Sequence, residues 1–354
     1  RDILECNFGR SSFAHTAPTG FVALQEDNRP TTGKGISDFV WIKNRDASDA
    51  HAFYDSSRGP QKEWENSESN EATVTDGLQK FLKGGFSIED NDALNTAGEK
   101  FVSWNWIGNN GTEVANTAGS GATVATTVQA NDTAGFSICR FTGTGSTLRF
   151  AHGLSATPEW FLTKRLDGSS AAISVYHVTN GINKYLHFNE PDAVVSSGAA
   201  TTQFTGVSST YIQLGSNSNS NNNGSDVVAY VWRSVPGFSK FGSYEGNANA
   251  EGPHINLGFK PAFLIIKNID RSVDWIMIDN KRDPFNNGIS SLLKPNATSS
   301  ESQANNQGID LVSNGFKVRQ SSSNAFNASS ETHIYMAFAE HPFVGDGTNP
   351  CTAR

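Results

Sequence analysis

The sequence predicts an all-β protein: three tandem β-sandwich-like domains, jelly-roll or concanavalin-like, of one repeated family. Three observations predict it. Short runs such as FVWIK, FLIIK, DWIMID and HIYMAF are rich in aromatic and β-branched residues and bounded by Gly, Asn, Ser and Pro, which is the composition of strands ended by turns. Long apolar stripes at helical spacing are nearly absent; the best helix candidate, ATVTDGLQKFLKGGF at 72–86, is interrupted by Gly77. Finally, one set of landmarks recurs three times in the same order, and a repeat of this length specifies the architecture before any motif does.

The first landmark is a strand ending in lysine: DFVWIK to Lys43, EWFLTK to Lys164 and AFLIIK to Lys267, preceded by Gly35-Ile36, Gly153-Leu154 and Gly258-Phe259. The second is an alternating strand running into a polar turn: FYDSSRGP, VYHVTNGI and MIDNKRDP. The third is GFSI at 85–88, YIQL at 211–214 and GFKV at 315–318. The fourth is an asparagine (Asn95, Asn221, Asn327) standing 11 residues before a closing aromatic (Trp106, Trp232, Phe338). Alternation in the closing strands, EKFVSWNW among them, predicts a sheet with one face buried.

An opening strand precedes the second and third sets, GFSICRFTG from Gly135 and GFSKFGSYEG from Gly237; GFVAL from Gly20 is a weaker counterpart for the first. The boundaries that follow are 1–112, 113–234 and 235–345, with a tail at 346–354. The second and third units abut at Ser234–Pro236. The first and second are separated by the Gly-, Thr- and Asn-rich stretch 108–133, whose ATVATTVQ core can pair as an edge strand.

Composition excludes several function classes. With 18% charged and 10% aromatic residues the chain is neither a coiled coil nor a disordered polyanion. Its net charge of -8, with Lys and Arg scattered singly, offers no phosphate track for nucleic acid. No apolar run approaches the roughly 20 residues of a membrane-spanning helix, so no membrane insertion is expected. Cys6, Cys139 and Cys351 are too widely spaced for a disulfide framework or a zinc site. No cofactor motif is present.

Candidate sites are few. Asp55 with Arg58, and Asp279 with Arg282, recur in the first and third units, but the second has His177 and Asn180, so the pairs read as turns held by weak exposed ion pairs. Asp90, Asn91, Asp92 and Asn95 carry calcium-type oxygens, but the equivalent loops lack carboxylates, so only the first loop is a candidate calcium site, and the preference of Asn and Asp for tight turns is the favoured account of it. Glu63, Glu65, Glu68 and Glu71 lie in QKEWENSESNE, which reads as a solvated surface, and Ser216–Ser225 reads as a loop tip. Trp64, in that charged stretch, is the candidate exposed aromatic for stacking on a sugar ring.

The unit built from GFSICRFTG, GLSATPEWFLTKR, YIQLGSN and GSDVVAYVWRSVPGFSKFGSYEGN, with the ending ETHIYMAFAEHPF, resembles a repeat common in structural proteins of marine tailed bacteriophages. NFGRSSFAHTAPTGFVAL resembles the end of a SPRY-type domain. The resemblance implies a virion component, a tail fibre, spike or other appendage, and brings no catalytic residues with it; tandem β domains with acidic, Asn-, Ser- and Gly-rich surfaces add the expectation that it is a non-enzymatic protein on the particle exterior that attaches to a host-surface glycan. The expected partners are other virion proteins, and a homo-oligomer, taken as a trimer, is expected. The alternatives are a capsid or tail decoration protein that binds only virion proteins, and a polysaccharide-degrading enzyme.

Overall fold

A computed structural model describes residues 3–7 (as backbone) and 36–340, apart from 68, 83–84, 117–119, 168–170, 197, 199–201, 285, 287–288, 306–307 and 322. GFVAL, most of the SPRY-like stretch, the last residues of the closing motif, Glu68, Cys351 and the tail 346–354 lie outside the described residues.

Three large sheets share one strand order. In the first, Ile3–Asn7 is followed across the sheet by Phe101–Trp106, Phe39–Asn44, Ala52–Asp55, Lys62–Glu65 and Ala72–Thr73. The second runs Phe136–Thr142, Asp226–Trp232, Trp160–Arg165, Ser174–His177, Leu186–His187; the third runs Ser239–Glu245, Thr332–Ala339, Pro261–Asn268, Ile276–Asp279. In the second and third sheets the closing strand therefore lies between the opening strand and the lysine strand, and in the first it lies between Ile3–Asn7 and the lysine strand.

Register is conserved among the three sheets as well. The residue four before each lysine pairs with the closing aromatic: Phe39 with Trp106, Trp160 with Trp232, Phe263 with Phe338. Lys43, Lys164 and Lys267 thus occupy corresponding places, opposite Val102, Val228 and Ile334. The strands on the far side of the closing strands differ in direction: Ile3–Asn7 runs parallel to its neighbour, whereas the opening strands Phe136–Thr142 and Ser239–Glu245 run antiparallel. The stretch between the first two units adds Thr126–Asn131 and Val114–Ala115 to the edge of the second sheet.

A smaller sheet covers the outer face of each large one. It comprises Leu78–Leu82 with Gly85–Ile88 in the first segment. In the second it comprises Leu148–Ala151, Tyr211–Leu214 and Phe204–Val207, and in the third His254–Asn256, Gly315–Val318 and Ile309–Val312. Between the layers lies a core for each segment, built on Val40, Ile42 and Leu78, on Phe150, Phe161 and Phe204, and on Leu264, Ile266 and Phe316. Each segment is a two-sheet sandwich.

The all-β class holds, and the expectation of sheets with one face buried is corrected. The stretch nearest to a helix pattern holds the strands Ala72–Thr73, Leu78–Leu82 and Gly85–Ile88 instead; Leu78, at the head of its strand, is fully buried in the sandwich core, and alternation from it suits a half-buried strand. The helices among the described residues are two single turns, Asp92–Asn95 and Ser218–Asn221. The large sheets are also buried on both faces. Val40 and Ile42 point into their own sandwich, while Phe39 and Trp41 point the other way, into a fourth core to which all three sheets contribute. A strand without a water-facing side reads as a continuous apolar run, which is why FVWIK and FLIIK alternate so poorly.

That shared core makes the three segments one body. Trp106 packs against both other closing aromatics, with ring centroids 5.8 Å from Trp232 and 5.6 Å from Phe338. Trp41 meets Phe188, Trp160 meets Trp275, and Trp104 meets Phe263, so each pair of segments shares ring contacts. Equivalent residues from three segments gather at one place only when the segments surround a common axis, so the sheets close into a ring rather than a string.

Candidate functional site

The ring is held by one contact made three times. The amide of Glu71 donates to the Leu166 carbonyl, that of Val194 to Ile269, and that of Glu301 to Arg45, at 2.9, 2.9 and 2.8 Å. Each acceptor stands two residues beyond its lysine, so the first segment grips the second, the second the third, and the third the first. The gripping loop is fixed from within by an asparagine five residues before its contact. Asn66, Asn189 and Asn296 accept the main-chain amides of His51, Ile173 and Trp275 at 2.8–3.0 Å. These three asparagines escaped the sequence reading; the signal was present in the constant spacing of five from 66 to 71, 189 to 194 and 296 to 301.

The lysines belong to the same junctions. Their amines are buried and satisfied by carbonyls: Lys164 reaches Ser67 and Ser69 of the first segment, and Lys267 reaches Pro191 of the second besides Asn268 and Val273. Lys43 donates to Asn44 and Ala47 within its own turn. Burial lowers both Lys43 and Lys267 to about 8, because removing an ammonium from water favours its neutral form.

The Asp–Arg pairs are not exposed turns, and the weak-pair expectation fails at both. Arg58 is buried against Asp55 and reaches Glu71 at 3.0 Å, while the Tyr230 hydroxyl of the second segment donates to Asp55 at 2.5 Å. Arg282 binds Asp279 at 2.6 Å and Glu301 at 2.9 Å and lies over the Trp104 ring of the first segment. Arg45 completes the third-to-first junction with two bonds to the Glu301 carboxylate, at 3.0 and 2.7 Å. The neighbouring guanidinium groups hold Glu301 below the usual carboxylate range despite its burial. The junction of the second and third segments lacks these charges. His177, Asn180 and Val194 stand there, and both side-chain polar atoms of the buried Asn180 lack a partner. The His177 ring is held down to about 3 by burial, so it is neutral, and its Nδ1 accepts the Thr179 amide at 3.1 Å.

Trp64 does not offer a ring to solvent. It is fully buried, stacked on Phe53 at 3.9 Å, with its indole N–H donating to Tyr230 of the second segment at 3.0 Å. The charged stretch around it misled because Lys62–Glu65 is a strand covered on both faces: Trp64 points into the shared core and Glu63, on the opposite face, meets Tyr54. Substituting Trp64→Phe is therefore expected to lower stability while leaving any sugar affinity of the chain unchanged, measured by thermal unfolding beside a glycan-binding assay. Glu63 accepts a hydrogen bond from Tyr54, and burial pushes its carboxyl up to about 7. Its contribution to stability is fully present below the unfolded value near 4.5 and is lost as pH rises through about 7. Denaturation midpoints between pH 4.5 and 8 should show that decline, and Glu63→Gln should flatten it.

The remaining landmarks are architectural. Asn221 accepts the Thr144 amide and donates to the Ser146 and Gly215 carbonyls; Asn327 likewise accepts the Asn247 amide and donates to Asn249 and Gln320. Asn95 donates to the Glu89 carbonyl. Each fastens the exit of its small sheet, and Ser216–Ser225 is accordingly a packed turn with Ser220 and Asn221 buried. In the Asp90–Asp92 loop, Asn91 caps the short helix through the Ala93 amide. Among the described residues no group of three or more His, Cys, Asp or Glu is arranged to hold a metal.

One groove opens on the second segment, about 510 Å³, between the edge strand Val114–Ala115 and the small-sheet side. Val128, Ala130, Ala151 and Leu154 form its apolar floor, and Asn116 and Thr210 are among its polar rim. Gly153 permits this floor: its φ of +71° suits glycine, and a Cβ there would stand 2.8 Å from Val128. The lining residues carry no ionisable side chain, so the groove suits a neutral ligand rather than acid–base chemistry.

Residues 20–342 match a family described as a domain of unknown function, DUF7483. The chain belongs to this family. No protein with a curated description matches it. A solved structure, the major capsid protein P2 from Bacteriophage PM2, is similar at 12% identity over 57% of this chain and 96% of that one, with a TM-score of 0.19. At that score the likeness carries nothing about fold or role. Among the described residues no helix is long and apolar enough to cross a membrane.

Proposed function

We propose that this DUF7483 chain is a non-enzymatic structural protein of a phage virion, displayed on the particle exterior in a tail fibre or other appendage that attaches to a host-surface glycan. The observation that carries this reading is the closed ring. Its buried aromatic rings, lysines and Asp–Arg–Glu groups join segment to segment rather than lining a reaction site, as in a rigid structural part. The resemblance of GFSICRFTG, PGFSKFGSY and YMAFAEHPF to phage repeats supplies the virion setting. Partners in this reading are other virion proteins, and several chains in one appendage multiply weak glycan contacts by avidity.

Antibody labelling of intact particles, imaged by electron microscopy, tests the location, and saturable binding of the purified chain to host cells tests attachment. Label on the appendages together with binding is the expected result. Label on the capsid shell without cell binding would select a decoration protein instead, and release of sugar from host polysaccharide would select an enzyme.

A further inference from the structure

The three sandwiches share a fold but not an interior. Thr163 of the second corresponds to Ile42 and Ile266, each one residue before its lysine, and Ser174, paired with Thr163 on the adjacent strand, corresponds to Ala52 and Ile276. Ser220, one residue before Asn221, stands where Leu94 and Phe326 stand. In the first and third sandwiches these positions are apolar and belong to the core between the sheets. In the second all three carry hydroxyls and have no solvent contact. Gln203 is fully buried as well. It precedes Phe204, which pairs with Leu214 as Leu78 pairs with Ile88 and Ile309 with Val318, so it replaces Gly77 and Gly308.

The four side chains converge. Thr163 and Ser174 lie opposite each other on the face that carries Phe161 and Tyr176, which sets their Cβ atoms about 5 Å apart. The single helical turn Ser218–Asn221 packs on the strand of Thr163, and the Gln203 side-chain amide donates to Ser220 Oγ at 2.6 Å. Thr163 Oγ1, Ser174 Oγ and Gln203 Oε1 have no hydrogen-bond partner among the described residues. His187 extends the row to the edge: it pairs with Ser174 on the last strand of the sheet, and its Nε2 is likewise unpartnered. Its Nδ1 lies 3.4 Å from the half-exposed Asp192 carboxylate. Polar atoms buried together in this way lose the hydration they have in the unfolded chain unless a further group meets them.

We propose that the second sandwich binds ordered water among Thr163, Ser174 and Gln203, with entry from the sheet edge past His187. The chemistry selects water over other small guests. Gln203 Oε1 only accepts, whereas the hydroxyls can donate, so the guest must offer both a hydrogen and a lone pair. A metal ion has no hydrogen to give and would bring a charge to a place where these side chains carry none to balance it. Thr163, Ser174 and Ser220 fall short of Ile266, Ile276 and Phe326 in volume by more than Gln203 exceeds Gly308, which leaves space for the guest at ordinary packing density. The inference concerns the interior of one sandwich and stands apart from the virion reading.

The sign of a stability change tests it. Thr163→Val and Ser174→Ala each remove a hydroxyl with little change of shape. A hydroxyl bonded to water loses that bond, so the urea midpoint falls below that of the unsubstituted chain; a hydroxyl facing a dry core is better removed, so the midpoint stays or rises. A fall in both variants is expected, and an unchanged or higher midpoint in either would overturn the proposal. Oxygen-17 relaxation dispersion reads the guest directly. The unsubstituted chain should show more long-lived water than the Thr163→Val, Ser174→Ala double variant, and equal amplitudes would count decisively against a bound water. Midpoints in sodium, potassium and choline chloride at equal ionic strength should coincide; a gain specific to one alkali cation would give the site to that ion and refute the assignment to water.

Discussion

Replacing Arg282 with Met is expected to lower folding stability by about 3–5 kcal/mol, because it strands a buried carboxylate. Arg282 is the centre of the third-to-first junction: it neutralises Asp279, reaches Glu301, donates to the carbonyls of Ser291 and Met277, and lies over Trp104. Methionine fills much of the volume but leaves Asp279, itself without solvent contact, with no countercharge. Urea denaturation would measure the loss. Adding Asp279→Asn to the same chain should recover part of it, since the cost comes from the orphaned charge rather than from lost packing. Asn180→Met, at the corresponding place in the second segment, should change stability by about 1 kcal/mol or less, because no carboxylate depends on it. Equal losses at the two positions would show that packing, not charge, governs these turns.

The second large effect is expected at Trp106→Ala, about 3–5 kcal/mol for truncating a buried aromatic. Its distribution matters more than its size. Trp106 touches Phe39 of its own segment, Trp232 of the second, and Phe263 and Phe338 of the third. A cavity there removes contacts from all three sandwiches, so unfolding should stay a single transition displaced to lower denaturant when followed by tryptophan fluorescence and by circular dichroism. Leu78→Ala, in the core private to the first segment, should separate the two probes before it moves the whole curve. Coincident transitions for Leu78→Ala and separate ones for Trp106→Ala would contradict the shared-core account.

Acid tests the third-to-first junction by another route. Glu301 titrates lower in the folded chain than in the unfolded one, so its contribution is present above the unfolded value near 4.5 and is lost as pH falls through the folded value. Glu301→Gln should therefore weaken the protein at neutral pH and make little difference in strong acid. Denaturant midpoints at pH 7 and pH 3 measure the contrast.

Local chemistry made much of this protein legible from its residues. The lysine-ended strands, the closing aromatics and the asparagine 11 residues before each of them are set by spacing along the chain, and strand pairing preserves such spacing as register. Phe39, Trp160 and Phe263 therefore meet Trp106, Trp232 and Phe338 in the same way in the three sheets. The all-β class and the two-layer sandwich follow from the same local patterns.

What sequence could not decide is which side of each sheet meets water. Trp64 lies among charges along the chain and is nevertheless buried, because burial depends on a neighbouring segment that supplies Tyr230. The Asp–Arg pairs read as weak surface pairs for the same reason: Glu71 and Glu301 come from loops 13 and 19 residues away, and the low-dielectric surroundings come from a different segment altogether. The sequence alone determined the repeating strands, since those depend on neighbours along the chain. Only the tertiary structure decided that the sheets close on one another, because the free energy of closure lies in contacts between residues that no local pattern relates.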